Sequence, residues 1–161
     1  MIKGVIFDWD GVVVDSSHLH EKSWELLALE EKKVLPDDHF VKGFGMKNER
    51  VIPEVLGWEV SSEKLTELSL RKEALYRELI DEEGLPLLPG VEEFIAYLNE
   101  LSIPKVIGSS THLLNITKVL DQLNLSHVFT DIVCGDDVVN GKPAPDIFLK
   151  AAEKLGLSSE Y

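Results

Sequence analysis

The sequence predicts an α/β protein: a parallel sheet flanked by helices, with a wholly helical segment inserted after the first strand. Three observations carry this. Short runs suited to buried strands stand at 2–7, 105–108 and 132–134, and each gives way to a polar loop. Helical and strand patterns alternate from about residue 90 onward, as right-handed crossovers of a parallel sheet require. Between about Ser16 and Glu83 only helix signals occur, so that span reads as a separate small bundle.

The first strand ends on Asp8-Trp9-Asp10-Gly11. Asp15-Ser16-Ser17 is an N-cap signal for a helix from His18 to Glu31, with Leu19, Trp24 and Leu27 at helical spacing. Pro36-Asp37-Asp38 and then Gly43-Phe44-Gly45 interrupt the chain. A helix is expected from Asn48 to Gly57, with Val51, Ile52, Val55 and Leu56 on one face. Ser61-Ser62 caps the longest helix, which carries Leu65, Leu68, Leu75 and Leu79 and stops at Gly84. Pro86 and Pro89-Gly90 mark the return to the sheet. Val91 to Leu101 reads as amphipathic, with Val91, Phe94, Ile95, Leu98 and Leu101 inward. The strand at 105–108 ends on Ser109-Ser110-Thr111, which open the helix at 112–123. The strand at 132–134 ends on Gly135-Asp136-Asp137. Gly141-Lys142-Pro143-Ala144-Pro145 leads into a helix from Asp146 to about Leu155, closed by Gly156. The expected division is residues 1–15 with 88–161 for the sheet and 16–87 for the helical insertion.

The chain has 161 residues, 44% hydrophobic and 28% charged, which is the composition of a globular protein. Its formal net charge of -13 argues against nucleic acid as a partner, yet leaves room for a phosphorylated small molecule held by a metal and a few lysines. The one cysteine, Cys134, excludes an internal disulfide and fits a reducing compartment; its apolar neighbours make it a packed thiol. No apolar stretch is long enough to span a bilayer, and a strand starting at residue 2 leaves no room for a signal peptide. The expected localisation is cytoplasmic.

Asp8 and Asp10 stand where a parallel strand delivers ligand chemistry, at its carboxyl end. Carboxylates this close raise each other's proton affinity unless a cation lies between them. The pair therefore asks for a divalent metal, or for one ionised and one protonated member: a nucleophile beside a general acid/base. Ser109 to Thr111 open a helix, whose N–H groups favour an anion. Lys142 adds a cation on a loop turned by glycine and stiffened by proline. Taken singly, the aspartates could form only a turn, the serines only a cap, and the lysine a solvated loop charge. Placed after successive strands of one parallel sheet, they share an edge, and the set suits phosphoryl transfer.

These motifs make the chain resemble the haloacid dehalogenase (HAD) superfamily, in the branch with a helical cap inserted after the first motif. Asp8-Trp9-Asp10-Gly11-Val12 matches the first motif and Ser109 after Lys105-Val106-Ile107-Gly108 the second. Gly141-Lys142-Pro143-Ala144-Pro145-Asp146 matches the third, and Pro89-Gly90-Val91 the return from cap to core. The resemblance implies a Rossmann-like parallel sheet core and a phosphatase acting on a small phosphorylated metabolite through an aspartyl-phosphate. Asp8 would attack phosphorus. Asp10 would protonate the leaving oxygen and then activate water. Asp8 by carboxylate and Asp10 by backbone carbonyl would bind Mg²⁺. Ser109, helped by a backbone N–H near Ser110, would hold the phosphoryl oxygens, Lys142 would neutralise Asp8, and Gly11 would complete the substrate loop. In the cap, His20 matches a histidine that relatives turn toward the active site, and Lys47 with Arg50 lies where relatives read the leaving group. A surface histidine and solvated charges are the competing readings.

The sequence also departs from the family. Its fourth, metal-binding acidic motif and the strand before it are absent, and Gly135-Asp136-Asp137 stands too early to replace them. The expected consequences are an incomplete sheet with the Asp8 strand at its edge and a metal site short of a carboxylate. A longer parent protein, a truncated form, or a partner chain completing the sheet would each account for this; otherwise a monomer is expected. Two alternatives to a phosphatase remain at this level: a hexose-phosphate mutase using the same aspartates, and a catalytically incompetent binding module.

Overall fold

The computed structural model describes residues 2–158, which form two compact units. One takes the chain up to Asp15 together with the chain from Leu85 onward; the other is Ser16–Gly84.

The first unit is an α/β sandwich around a small parallel sheet. Strand β1 (Val5–Phe7) pairs with β2 (Lys105–Gly108), and β2 with β3 (Asp131–Val133), in the order β1-β2-β3. Register sets Phe7 opposite Ile107, and Gly108 opposite Val133. The central strand is buried throughout, as its two-sided cover demands. Among the described residues β1 pairs with β2 alone. Helices α5 (Val91–Glu100), α6 (Leu113–Gln122) and α7 (Asp146–Lys154) complete the unit. Ile147 and Ala151 of α7 pack with Val106 and Val133. Gly108 permits this close approach: a Cβ there would lie 3.1 Å from Ile6 Cγ2 and 3.3 Å from Ile147 Cγ2. The chain leaving the sheet and the chain returning to it pair antiparallel at Val14 and Leu87, with Leu88 N–H donating to Val13 O at 3.0 Å.

Three expectations for this unit are corrected. The first strand begins at Val5, not Ile2, because its partner strand is preceded by Pro104, which offers only a carbonyl; Val5 N–H takes it at 3.0 Å. The third strand ends at Val133 because Cys134 N–H turns to Asp137 Oδ2 at 2.9 Å. On α5, Ile95 and Leu98 are buried, but Phe94 and Leu101 are exposed; the Phe94 ring keeps an edge contact with Phe7, centroids 5.8 Å apart.

The helical unit consists of α1 (Ser17–Glu31), α2 (His39–Gly43), α3 (Asn48–Arg50) and α4 (Ser62–Glu83). α1 packs along α4, and Trp24, Leu27, Ile52, Leu56, Trp58, Leu68 and Leu75 fill the core. Ser61 caps α4 as its type predicts, its Oγ accepting from Lys64 N–H at 3.3 Å. Ser16 occupies the cap position of α1 but its side chain makes no cap bond. The helix expected from Asn48 to Gly57 is α-helical only to Arg50; a π-helical turn, Val51–Val55, follows. Pro53 has no N–H to continue the α ladder, and Leu56 N–H reaches back to Val51 O at 2.9 Å. Among the described residues no helix is long and apolar enough to cross a membrane.

Candidate active site

The ends of β1 and β2 leave the sheet side by side, and their first polar residues form the candidate site. Asp8 follows β1 directly. Its Oδ1 accepts from Trp9 N–H at 2.8 Å and from Lys142 Nζ at 2.6 Å. The loop that returns from Asp8 is tight. Trp9 O accepts from the N–H groups of Val12, Val13 and Val14, and Gly11 N–H donates to Val14 O at 2.9 Å. Gly11 takes φ +73°, which glycine adopts without steric cost. Asp10 lies in this loop, half-buried, bridged to Val14.

Lys142 reaches the site from a loop far along the chain. Its ammonium pairs with Asp8 and lies 5.1 Å from the centroid of the Phe148 ring on α7. The lysine is about a fifth exposed and Asp8 about a third, so the pair is partly shielded from water and still open to a ligand.

Ser109 follows β2 and is buried; its N–H continues toward Val133 O at 2.9 Å, and its Oγ accepts from Thr111 N–H at 3.2 Å. The helix expected at 112–123 is α6 (Leu113–Gln122) with His112 at its cap position, so Ser109 to Thr111 lie ahead of its first turn. The Ser109 amide is thus committed to β3 and the Thr111 amide to the Ser109 hydroxyl. The Ser110 hydroxyl is buried and has no hydrogen-bond partner, an unmet polar group at the mouth of β2. The next loop locks against this one. Gly135 N–H donates to Thr111 O at 3.0 Å, and a Cβ at Gly135 would lie 2.3 Å from Ser110 O. Asp137 steadies that loop by accepting from Cys134 N–H, which holds its carboxyl below the usual range. Burial pushes the Cys134 thiol up to about 11, as a packed thiol requires.

His20 and Lys47 belong to the helical unit. His20 is neither a bare surface ring nor alone: it stacks on Tyr76 at 4.0 Å between centroids, and its Nδ1 lies 2.8 Å from Lys72 Nζ. Lys47 is half-buried at the end of the Gly43–Lys47 turn. Arg50, grouped with Lys47 in the sequence reading, forms a bidentate surface pair with Glu54, at 2.9 and 2.7 Å. Sequence reasoning missed Lys72 and Glu73, which are buried in this unit along with Asn48, the first residue of the helix expected at 48–57. A signal was present: Lys72 stands four residues after Leu68 and seven before Leu79, on the apolar stripe of α4.

A hard divalent cation fits the donors present only in part. Asp8 Oδ1 is taken by an amide and an ammonium, which leaves Oδ2 for a cation. Among the described residues no group of at least three His, Cys, Asp or Glu side chains is disposed to hold a metal. One or two carboxylates, completed by water and substrate phosphate, is an arrangement Mg²⁺ accepts.

Comparison with known proteins gives consistent matches. A family model described as haloacid dehalogenase-like hydrolase matches residues 2–160. A chloroplastic 5-amino-6-(5-phospho-D-ribitylamino)uracil phosphatase of Arabidopsis thaliana is 33% identical over 98% of this chain and 42% of its own length. The beta-phosphoglucomutase of Bacillus subtilis is 32% identical over 98% of this chain and 71% of its own. The solved beta-phosphoglucomutase of Clostridium difficile superposes with a TM-score of 0.86 at 27% identity, covering 98% of this chain and 72% of that one. The chain thus spans under half of the first of these relatives and about seven-tenths of the others.

Proposed function

The chain belongs to the haloacid dehalogenase-like hydrolase family, and from that membership we propose that it is a Mg²⁺-dependent phosphatase of a small phosphorylated metabolite, with Asp8 as nucleophile. The observation that carries the reading is the 2.6 Å contact between Asp8 Oδ1 and Lys142 Nζ, made by residues from opposite ends of the sequence. A lysine at that distance offsets the charge of the Asp8 carboxylate and lessens its repulsion of an incoming phosphoryl dianion.

Asp8 attacks phosphorus, forming an aspartyl-phosphate as the ester oxygen departs. Asp10 gives that oxygen its proton. Asp10, now ionised, takes a proton from water, which attacks the aspartyl-phosphate; inorganic phosphate leaves and Asp8 is restored. The Ser109 hydroxyl and the loop through Ser110 orient the phosphoryl oxygens, and Gly11 lets the Asp10 loop close tightly. Lys142 balances charge throughout. Asp8 and Asp10 would hold Mg²⁺, which when bound offsets the negative charge of the phosphoryl group. His20 and Lys47 contact the part of the substrate that is not transferred. The reducing compartment suggested by cysteine usage makes the cytoplasm the proposed location.

Phosphate release from p-nitrophenyl phosphate with and without Mg²⁺, with Asp8→Asn as control, tests this. Turnover that needs both Mg²⁺ and Asp8 is the expected result. No turnover by the unaltered chain would favour a non-catalytic phosphate binder, the reading to which the small number of acidic donors lends weight. Faster discharge of the aspartyl-phosphate to a sugar hydroxyl than to water would make the enzyme a mutase.

A further inference from the structure

Inside the helical unit, one carboxylate oxygen ties together two features that are distant in sequence. Glu73 is buried, and its Oε1 accepts from Asn48 Nδ2 at 2.7 Å and from Lys72 Nζ at 3.0 Å. Lys72, only 2% exposed, extends the link to His20 Nδ1 at 2.8 Å and lies near the rings of Trp24 and Tyr76, at 5.5 and 5.2 Å. An ammonium only donates, so Nδ1 accepts and the ring proton resides on Nε2. The stack of His20 on Tyr76 fixes the ring plane. On the other arm, Asn48 also donates to Ser69 Oγ at 3.2 Å, which anchors the residue that follows the Gly43–Lys47 turn to α4. Gly45 holds φ +82° in that turn, and Met46 N–H closes it on Gly43 O at 3.0 Å.

A buried ammonium is costly unless it is paired and hydrogen-bonded. Glu73 is its carboxylate partner, and the same oxygen secures the turn. We propose that Glu73 is a positioning residue, setting the tautomer and orientation of His20 through Lys72 and the place of Lys47 through Asn48. The inference rests on the reading that His20 and Lys47 contact the non-transferred part of the substrate.

The test compares Glu73→Ala with Glu73→Gln, which keeps the oxygen acceptor but not the charge. Ribose 5-phosphate and p-nitrophenyl phosphate serve as substrates. For Glu73→Ala, the ratio of kcat/KM for the sugar phosphate to that for p-nitrophenyl phosphate is expected to fall about tenfold, through KM; Glu73→Gln should recover part of it. His20→Ala and Lys47→Ala, added to Glu73→Ala, should each cost less than they do alone. Independently of activity, the ¹⁵N shifts of His20 should show the Nε2–H tautomer in the unaltered chain and a mixture in Glu73→Ala. If Glu73→Ala does not fold, Lys72→Met and Asn48→Ala each remove one arm and should cancel only the His20 or only the Lys47 effect. Equal losses on both substrates, an unchanged ratio, full additivity, or an unchanged His20 tautomer would overturn the proposal. Loss of Asp8-dependent turnover in the unaltered chain would instead overturn the phosphatase reading.

Discussion

Asp8 and Lys142 show how little a single residue reveals before its partner is known. Either would pass for a turn or surface residue, and their meaning comes from a 2.6 Å contact. Lys105 shows the converse. It lies at the first position of β2, only 4% exposed, with Nζ on Asn99 Oδ1 at 2.6 Å and Ile103 O at 3.2 Å, both uncharged oxygens. Burial lowers its proton affinity below the ordinary lysine value. The unfolded chain therefore binds this proton more tightly than the folded one. Stability should rise with pH as Lys105 loses its proton in the folded state, up to the ordinary value of 10.5, and the gain should level off above it. Urea melts across pH 8 to 11 should show a positive slope that Lys105→Met removes; equal slopes in the two chains would refute the assignment.

At the scale of elements, the loops after β2 and β3 act as one body. Gly135 is the hinge of that contact, since a Cβ would lie 2.3 Å from a backbone oxygen that has no flexible end to yield. Gly135→Ala should therefore cost about 1–3 kcal/mol by overpacking, and it should displace Ser109 and Ser110. Chemical denaturation would read the first effect and the KM for p-nitrophenyl phosphate the second. A variant as stable as the parent with unchanged KM would show that the loops yield independently. The strand-loop order was legible in the sequence because the loops of Asp8 and Ser109 each follow an apolar run, and Lys142 stands in the loop after the third. The start of α6 was legible to within one residue of the expected 112, but the local bond from Thr111 N–H to Ser109 Oγ, which holds these residues ahead of the helix, was not. The π-helical turn escaped for a similar reason: apolar spacing marks a helical face but does not report which carbonyl each amide will choose.

For the molecule as a whole, charge is the governing quantity. A net charge of -13 would oppose the anionic substrate proposed for this chain, so Lys142 and a bound cation would have to build the local field at the end of the sheet. With the Asp8 carboxylate and the Asp10 backbone carbonyl as the donors proposed for it, Mg²⁺ should bind weakly alone and gain about tenfold or more in affinity when phosphate is present, with reciprocal tightening of phosphate by Mg²⁺. Calorimetric titrations of each ligand with and without the other would check this, and independent binding of the two would contradict a shared site.

The sequence by itself determined the class of fold, the helical insertion after the first strand, and the loops that bear Asp8, Ser109 and Lys142. Those properties are written in local periodicity and in motifs a few residues long. Tertiary structure alone decided that Lys142 reaches Asp8 Oδ1, that Arg50 turns away to Glu54, and that Glu73 joins Lys72 to Asn48 within the helical unit. A hydrophobic pattern states which face of an element is buried, but not which distant polar group will meet it there. Within a low-dielectric core, that pairing sets whether a charge such as Lys72 is tolerated at all.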